Sequence, residues 1–442
     1  MPEFSAYELS QWVSKPWATG SPEEPVRGVS HDTRTLKPGD LYVAIKGDQF
    51  DGYAFLREAF DKGAVGALVG DGSEWTGNPV LKVPDTIRGL QDLAQGYRGK
   101  WTGLPVGITG SVGKTTVKEM CADVLSIKGE THRTRGNYNN HIGLPLTMLA
   151  MPPTAPYGVF ELGMNHPGEI AMLSDLLQPK MAIITDICNA HRESFPSLEA
   201  IAAEKAGLAE RVPESGLVIL DRDSEWYGLM RERIRADIVS VSFGGTADYV
   251  GRKAGDRIMN VNGYDYAMPL PGEHIMRNAL RVIALAREIG LTPEEISAGL
   301  AAFKAPPMRW QPVELNGIRF INDAYNANPL SMRASLSTFS ELPEAGGKWV
   351  VVGGMRELGD TAEAEHAALG PFIDGLELDG VIVVGELARP LVCARIDAFF
   401  QCADTGEAAR ILKGRLATGD QVLLKASRGE QLERVMNYFK EM

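Results

Sequence analysis

Short apolar runs alternate with helical stretches along the whole chain, and the spacing changes twice. In the first hundred residues, contiguous apolar runs at 41–45 and 67–69 read as strands, with helical periodicity at 55–62 between them. This predicts a small α/β unit. Residues 99–105 are rich in turn formers and lead into the apolar run 106–109, which places a boundary near residue 102. From there the runs 158–162, 181–185 and 217–220 alternate with helical segments, the pattern of a mainly parallel, doubly wound sheet. Ala305-Pro306-Pro307 interrupts regular structure, and the runs at 346–354, 380–385 and 420–425 predict a third α/β unit. The expected domains are therefore 1–102, 103–311 and 312–442, which agrees with 442 residues being too many for one core.

Composition narrows the possible functions. Apolar residues at 44% and charged residues at 23% match compact globular proteins and exclude long disorder. No stretch approaches the roughly 20 apolar residues of a membrane helix, and Met1-Pro2-Glu3 does not open a signal peptide, so a cytoplasmic protein with no membrane partner is expected. Cys121, Cys188, Cys393 and Cys402 are scattered and read as ordinary thiols. A net charge of -12 argues against a nucleic-acid partner, so anionic ligands would need local cationic pockets.

The sharpest chemical signal is Gly107-Ile108-Thr109-Gly110-Ser111-Val112-Gly113-Lys114-Thr115-Thr116, between a strand-like run and a helix. Its glycines let backbone amides converge on phosphate oxygens at the positive end of the helix. Lys114 would reach the β- and γ-phosphates and Thr115 would ligate magnesium. The strict phosphate-loop pattern fails at one position, where Ile108 replaces the first glycine; the shorter Gly110-x-x-Gly113-Lys114-Thr115 fits. Glu161 closes an apolar run and should stand at a strand's carboxyl end near this loop, where a cation needs an oxygen ligand. His191, after another strand, is a weaker metal candidate, and Lys205 reads from spacing alone as a solvated helix lysine.

Several segments together resemble the Mur ligases, relatives of the folylpolyglutamate synthetases, and in particular the branch that adds D-alanyl-D-alanine to UDP-N-acetylmuramoyl-tripeptide. They include Asp32-Thr33-Arg34 with Lys46-Gly47 and Phe50-Asp51-Gly52-Tyr53, then Gly136-Asn137-Tyr138-Asn139-Asn140. Next come Glu161-Leu162-Gly163-x-Asn165-His166-Pro167-Gly168-Glu169, Gly272-x-His274-x-x-x-Asn278, and the run Asp323-Ala324-Tyr325-Asn326-Ala327-Asn328-Pro329. Glu357-Leu358-Gly359 and Lys425-Ala426-Ser427-Arg428-Gly429 complete the series. His141, Gly354 and Ala426 depart from the branch pattern.

The resemblance implies a UDP-sugar-peptide domain, a central phosphate-loop ATPase domain and a third, Rossmann-like domain that receives the dipeptide. It implies catalytic roles for Lys114, Glu161, His191 and Lys205, with Lys205 carbamylated and two Mg²⁺ held by Thr115, Glu161, His191 and the carbamate. ATP would be lined by Gly110, Ser111, Val112, Gly113, Thr115, Thr116, His274, Asn278 and Arg309, and from the third domain by Asp323, Tyr325, Asn326 and Asn328. Ser30, Asp32, Thr33, Arg34, Lys46, Asn137, Asn140, Ser427 and Arg428 would bind the other substrates. The implied reaction passes through an acyl phosphate in a monomer that is open until its substrates close it. The alternatives are a neighbouring ligase adding the third-position diamino acid, a folylpolyglutamate synthetase, and a nucleotide-binding scaffold without ligase activity.

Overall fold

A computed structural model describes residues 2–47, 51–189, 193–343 and 346–441. Three sheets follow one another along the chain. The first comprises β1 (Gly28–Ser30), β2 (Asp40–Val43), β3 (Gly66–Gly70) and β4 (Val80–Val83), paired in that order and all parallel. Side chains alternate across a strand, so Leu41 and Val43 enter one core while Tyr42 and Ala44 enter another. Burial on both faces explains why such strands read as unbroken apolar runs.

The central sheet comprises β5 (Leu104–Thr109), β6 (Thr131–Arg133), β7 (Tyr157–Glu161), β8 (Met181–Ile184), β9 (Leu217–Asp221), β10 (Asp237–Phe243), β11 (Tyr249–Gly255), β12 (Ile258–Val261) and β13 (Tyr264–Ala267). Its order is β13-β12-β11-β10-β9-β8-β5-β7-β6, parallel from β6 to β11 and antiparallel at β11-β12-β13. β5 lies between β7 and β8, so its carboxyl end faces the ends of both. Helices Lys114–Ser126 and Glu273–Glu288 cover one face, and Gly143–Leu149, Glu169–Leu177 and Leu198–Ala209 the other.

The second of these cores continues into the first domain through helix Thr86–Lys100. Buried Arg98 donates to the carbonyls of Leu177 (2.7 Å), Gln178 and Trp101 (each 3.1 Å), and Tyr97 Oη donates to Met151 O at 2.6 Å. The turn-rich stretch at 99–105 is thus crossed by a shared core and is no loose linker.

The third sheet comprises β14 (Gln311–Leu315), β15 (Ile318–Asn322), β16 (Lys348–Val352), β17 (Gly380–Val384), β18 (Phe399–Cys402) and β19 (Gln421–Lys425). Its order is β14-β15-β19-β16-β17-β18, with only the β14-β15 pair antiparallel. This domain is seated on the central one. Asn189 Nδ2 donates to Glu365 Oε1 at 3.4 Å, Lys253 lies 3.7 Å from Glu341, and Trp310 meets the His274 ring edge-on at 6.3 Å. Among the described residues, no helix is long and apolar enough to cross a membrane.

Candidate active site

The phosphate loop is built by what its backbone cannot avoid. After β5 the chain turns through Gly110, at φ +151°, where a Cβ would lie 1.9 Å from Thr185 Oγ1. Gly113, at φ +88°, opens helix Lys114–Ser126. Ser111 N donates to Asp186 O at 2.8 Å and Thr185 Oγ1 to Val112 O at 2.5 Å, so the end of β8 fixes the loop. The first amides of the helix have no carbonyl within it and present a positive end to the site. Lys114 Nζ lies over this loop, donating to Gly110 O at 2.8 Å and Ser111 O at 3.3 Å. Burial lowers its pKa, partly offset by Glu161.

Glu161 ends β7 with only 3% exposure. Its Oε1 accepts a hydrogen bond from Asn139 Nδ2 at 2.8 Å, while the buried Oε2 has no partner among the described residues. Lys205 is fully buried, and its Nζ is likewise unpartnered. Burial holds its pKa well below the ordinary lysine value, and the neighbouring Lys114 charge acts in the same direction. An unsatisfied carboxylate oxygen and an unsatisfied amine are expensive to keep buried unless something binds them. Both suit a hard cation, the oxygen directly and the amine once CO₂ has made it a carbamate. Lys205 owes its position to Ser197, which caps its helix, and to Glu204, which accepts from Gly168 N and Ile170 N at 2.9 Å each. The solvated-lysine reading of Lys205 is therefore overturned.

Two cavities meet at this point. One of about 310 Å³ is lined by Lys114, Thr115, Asn137, Glu161, Tyr325 and Asn326, and another of about 600 Å³ by Thr116, His274, Asn278, Arg309 and Trp310. Lys425 borders both; it pairs with Asp323 at 2.8 Å and donates to Asn326 O at 2.9 Å. Burial lowers the His274 pKa to about 4, which keeps the ring neutral near pH 7. Fully buried Arg281 holds the cleft floor by pairing with Asp186 at 2.5 Å and Asp221 at 2.6 Å. A third cavity, of about 730 Å³, lies in the first domain over Asp32, Thr33 and Arg34.

Three family models match most of the chain: "Mur ligase family, catalytic domain" at 25–98, "Mur ligase middle domain" at 108–286, and "Mur ligase, glutamate ligase domain" at 308–428. The UDP-N-acetylmuramoyl-tripeptide--D-alanyl-D-alanine ligase of Bacillus subtilis (strain 168) is 35% identical over 428 residues, covering 93% of this chain and 92% of that protein. This chain belongs to the Mur ligase family. The fold of this Mur ligase is similar to that of MurF from Acinetobacter baumannii, with a TM-score of 0.91, 28% identity and full coverage of both chains. It is also similar to the MurF ligase from Thermotoga maritima in complex with ADP, at 0.84 and 27%, covering 94% of this chain and 97% of that one.

In this Mur ligase the predicted residues divide by what they touch. Ser111 to Thr116 of the phosphate loop, with Glu161, Asn137, His274, Asn278, Arg309, Tyr325, Asn326 and Asn328, border the two joined cavities, whereas Gly110 and buried Lys205 line neither. Asp323 also borders the cleft, but its carboxylate is engaged by Trp310 N, Ser335 Oγ and Lys425. Ser30 Oγ bonds the Asp32 backbone, and Asn140, which also borders the smaller cavity, accepts from Ile142 N and Gly143 N through its Oδ1, so both hold backbone in shape. Ser427 is buried and accepts from Arg356 N at 2.9 Å, while half-exposed Arg428 pairs with Glu433 at 2.5 Å. Lys46 does not line the first-domain cavity, although Ile45 and Gly47 do. His191 and Phe50 lie outside the described residues.

Sequence reasoning missed Asn139, Asp186, Arg281 and Lys425 as site residues. Asn139 and Lys425 lay inside quoted motifs. Asp186 acts through its carbonyl as well as its carboxylate, and Arg281 on a helix looks solvated until the fold buries it.

Proposed function

We propose that this chain joins D-alanyl-D-alanine to UDP-N-acetylmuramoyl-tripeptide in an ATP-dependent, ADP-forming reaction, yielding the UDP-linked pentapeptide precursor of peptidoglycan. The observation that carries this reading is that Lys114 and Glu161, whose Oε2 has no partner among the described residues, line a small cavity joined to a nucleotide-sized cleft, with the buried amine of Lys205 near enough to feel both charges. The full-length relative and the ADP-bound neighbour support the substrates and the nucleotide. In the proposed assignment the domains divide near residues 102 and 311, and the enzyme works in the cytoplasm as a monomer.

The peptide's terminal carboxylate attacks the γ-phosphorus of ATP, and the bond to the bridging oxygen breaks to release ADP. The acyl phosphate then takes the amine of the dipeptide; the tetrahedral adduct loses inorganic phosphate, and the proton leaves with solvent. Lys114 offsets the charge of the phosphates as the carboxylate approaches, and Asn139 keeps Glu161 aimed into the site. Thr115, Glu161, His191 and a carbamate on Lys205 would hold Mg²⁺, which supplies further screening of the phosphates. His274 and Arg309 line the nucleotide, while Asp32 to Arg34 cradle the uridine diphosphate. A third-position ligase is disfavoured because its Asp-Asn-Pro-Arg segment is missing from the third domain.

The test is phosphate release with ATP, Mg²⁺ and UDP-N-acetylmuramoyl-tripeptide, with and without D-alanyl-D-alanine, alongside Lys114→Ala. Release that needs both substrates, gives pentapeptide and is lost in the variant is expected. Release driven by a diamino acid on the dipeptide precursor, or by glutamate on a folate, would overturn the substrate assignment.

A further inference from the structure

Beyond helix Pro293–Ala302 the chain packs Phe303 and Ala305 into the central core beneath helices Lys114–Ser126 and Glu273–Glu288. Pro306 and Pro307 follow, and from the next residue the packing changes domain. Met308 lies against the core on one face of the third sheet, and buried Trp310 enters the core on the other. Both stand in the left-handed region, at φ +60° and φ +51°, where bulky side chains are rare and persist only when their surroundings enforce it. Third-domain groups provide that enforcement. Met308 N donates to Gln311 Oε1 at 2.9 Å, Tyr325 N to Met308 O at 3.1 Å, and Trp310 N to Asp323 Oδ1 at 3.0 Å. Gln311 is itself anchored, as the first residue of β14, opposite Asn322 of β15.

Between the two kinks stands Arg309. Its guanidinium lies over the Tyr325 ring, 4.3 Å from the centroid, at the border of both joined cavities, and its charge is near enough to Lys114 to disfavour that amine's proton. Met308 and Gln311 border neither cavity, so whatever they do for the site they do through a neighbour. A left-handed residue on each side reverses the chain sharply, and the direction in which Arg309 leaves the backbone depends on both kinks being kept. We infer that this double kink makes Arg309 a third-domain group aimed at the phosphate end of the nucleotide, with Gln311 as the positioning residue that holds it there. Lys114 belongs to the central domain, so the two cations reach the phosphates from opposite sides of the cleft, and the charge is fully offset only while the third domain is seated. The inference rests on the proposed nucleotide site and deepens it.

The experiment measures, by calorimetry, the affinity for a non-hydrolysable ATP analogue with Mg²⁺ in wild type, Gln311→Leu, Arg309→Ala, the double variant and Gln311→Glu. Arg309→Ala should weaken binding about tenfold or more, the size of a charge-assisted hydrogen bond, and Gln311→Leu about fivefold, the size of a neutral one. The double variant should bind like Arg309→Ala, because Gln311 acts only through that side chain. Gln311→Glu keeps an acceptor for Met308 N and should recover affinity to within about twofold of wild type. Should the leucine variant not fold, Gln311→Met makes the same deletion with a more adaptable side chain. Losses that add in the double variant, or an affinity unchanged by removal of the Gln311 amide, would overturn its role. Wild type that binds no analogue would instead sink the nucleotide site itself, and this role with it.

Discussion

Replacing Lys205 with methionine separates what the lysine does for the fold from what it does for chemistry. Its Nζ is fully buried with no partner among the described residues, and its surroundings disfavour the charge. A buried donor left unsatisfied costs about 1–3 kcal/mol, and methionine fills nearly the same volume without one. In CO₂-depleted buffer, where no carbamate forms, Lys205→Met should therefore be more stable than wild type by about 1–3 kcal/mol. At roughly 2–4 °C per kcal/mol for a cooperative unit of this size, the melting temperature should rise by about 2–12 °C. Ligase turnover should fall by about a thousandfold or more, since a thioether can form no carbamate. Wild-type turnover should increase with added bicarbonate and the variant's should not. Differential scanning fluorimetry and pentapeptide formation measure the two halves. A variant less stable than wild type, or one keeping a tenth of its activity, would refute the reasoning.

Gly110→Ala should abolish nucleotide binding by calorimetry, because its Cβ would meet Thr185 Oγ1 at 1.9 Å in a backbone conformation that alanine rarely adopts. Arg281→Met should destabilise the central domain by about 3–5 kcal/mol in denaturant titration, since Asp186 and Asp221 lose a shared buried partner. His274 titrates near pH 6.5 when unfolded and near 4 when folded, so unfolded chains bind the extra proton between these values. Its contribution is complete above about pH 6.5 and is lost as pH falls toward 4, by up to about 3 kcal/mol, and His274→Gln should flatten that part of the stability profile.

The phosphate loop was legible in sequence because its chemistry is contiguous: Gly110, Gly113 and Lys114 must stand at fixed spacing between a strand and a helix. Buried parallel strands such as β2 and β16 were legible as apolar runs. What escaped depended on distance in space. Lys205 on a helix looks the same whether solvated or entombed, and the orphaned state of its amine follows only from packing. Asn139 gains its meaning from Glu161, 22 residues on. Gly354 looked like a departure from the branch pattern, but Leu387 fills the space that a side chain there would need. The seating of the third domain rests on pairs such as Lys253 and Glu341, which no local pattern links.

The most direct test of the central claim follows oxygen. UDP-N-acetylmuramoyl-tripeptide labelled with ¹⁸O in both oxygens of the reacting carboxylate is incubated with ATP, Mg²⁺ and D-alanyl-D-alanine, and the phosphate and pentapeptide are analysed by mass spectrometry. One ¹⁸O in the inorganic phosphate and one in the new amide, with ADP as the only nucleotide product, is the predicted result. Unlabelled phosphate, or label transferred to AMP, would contradict the acyl-phosphate route.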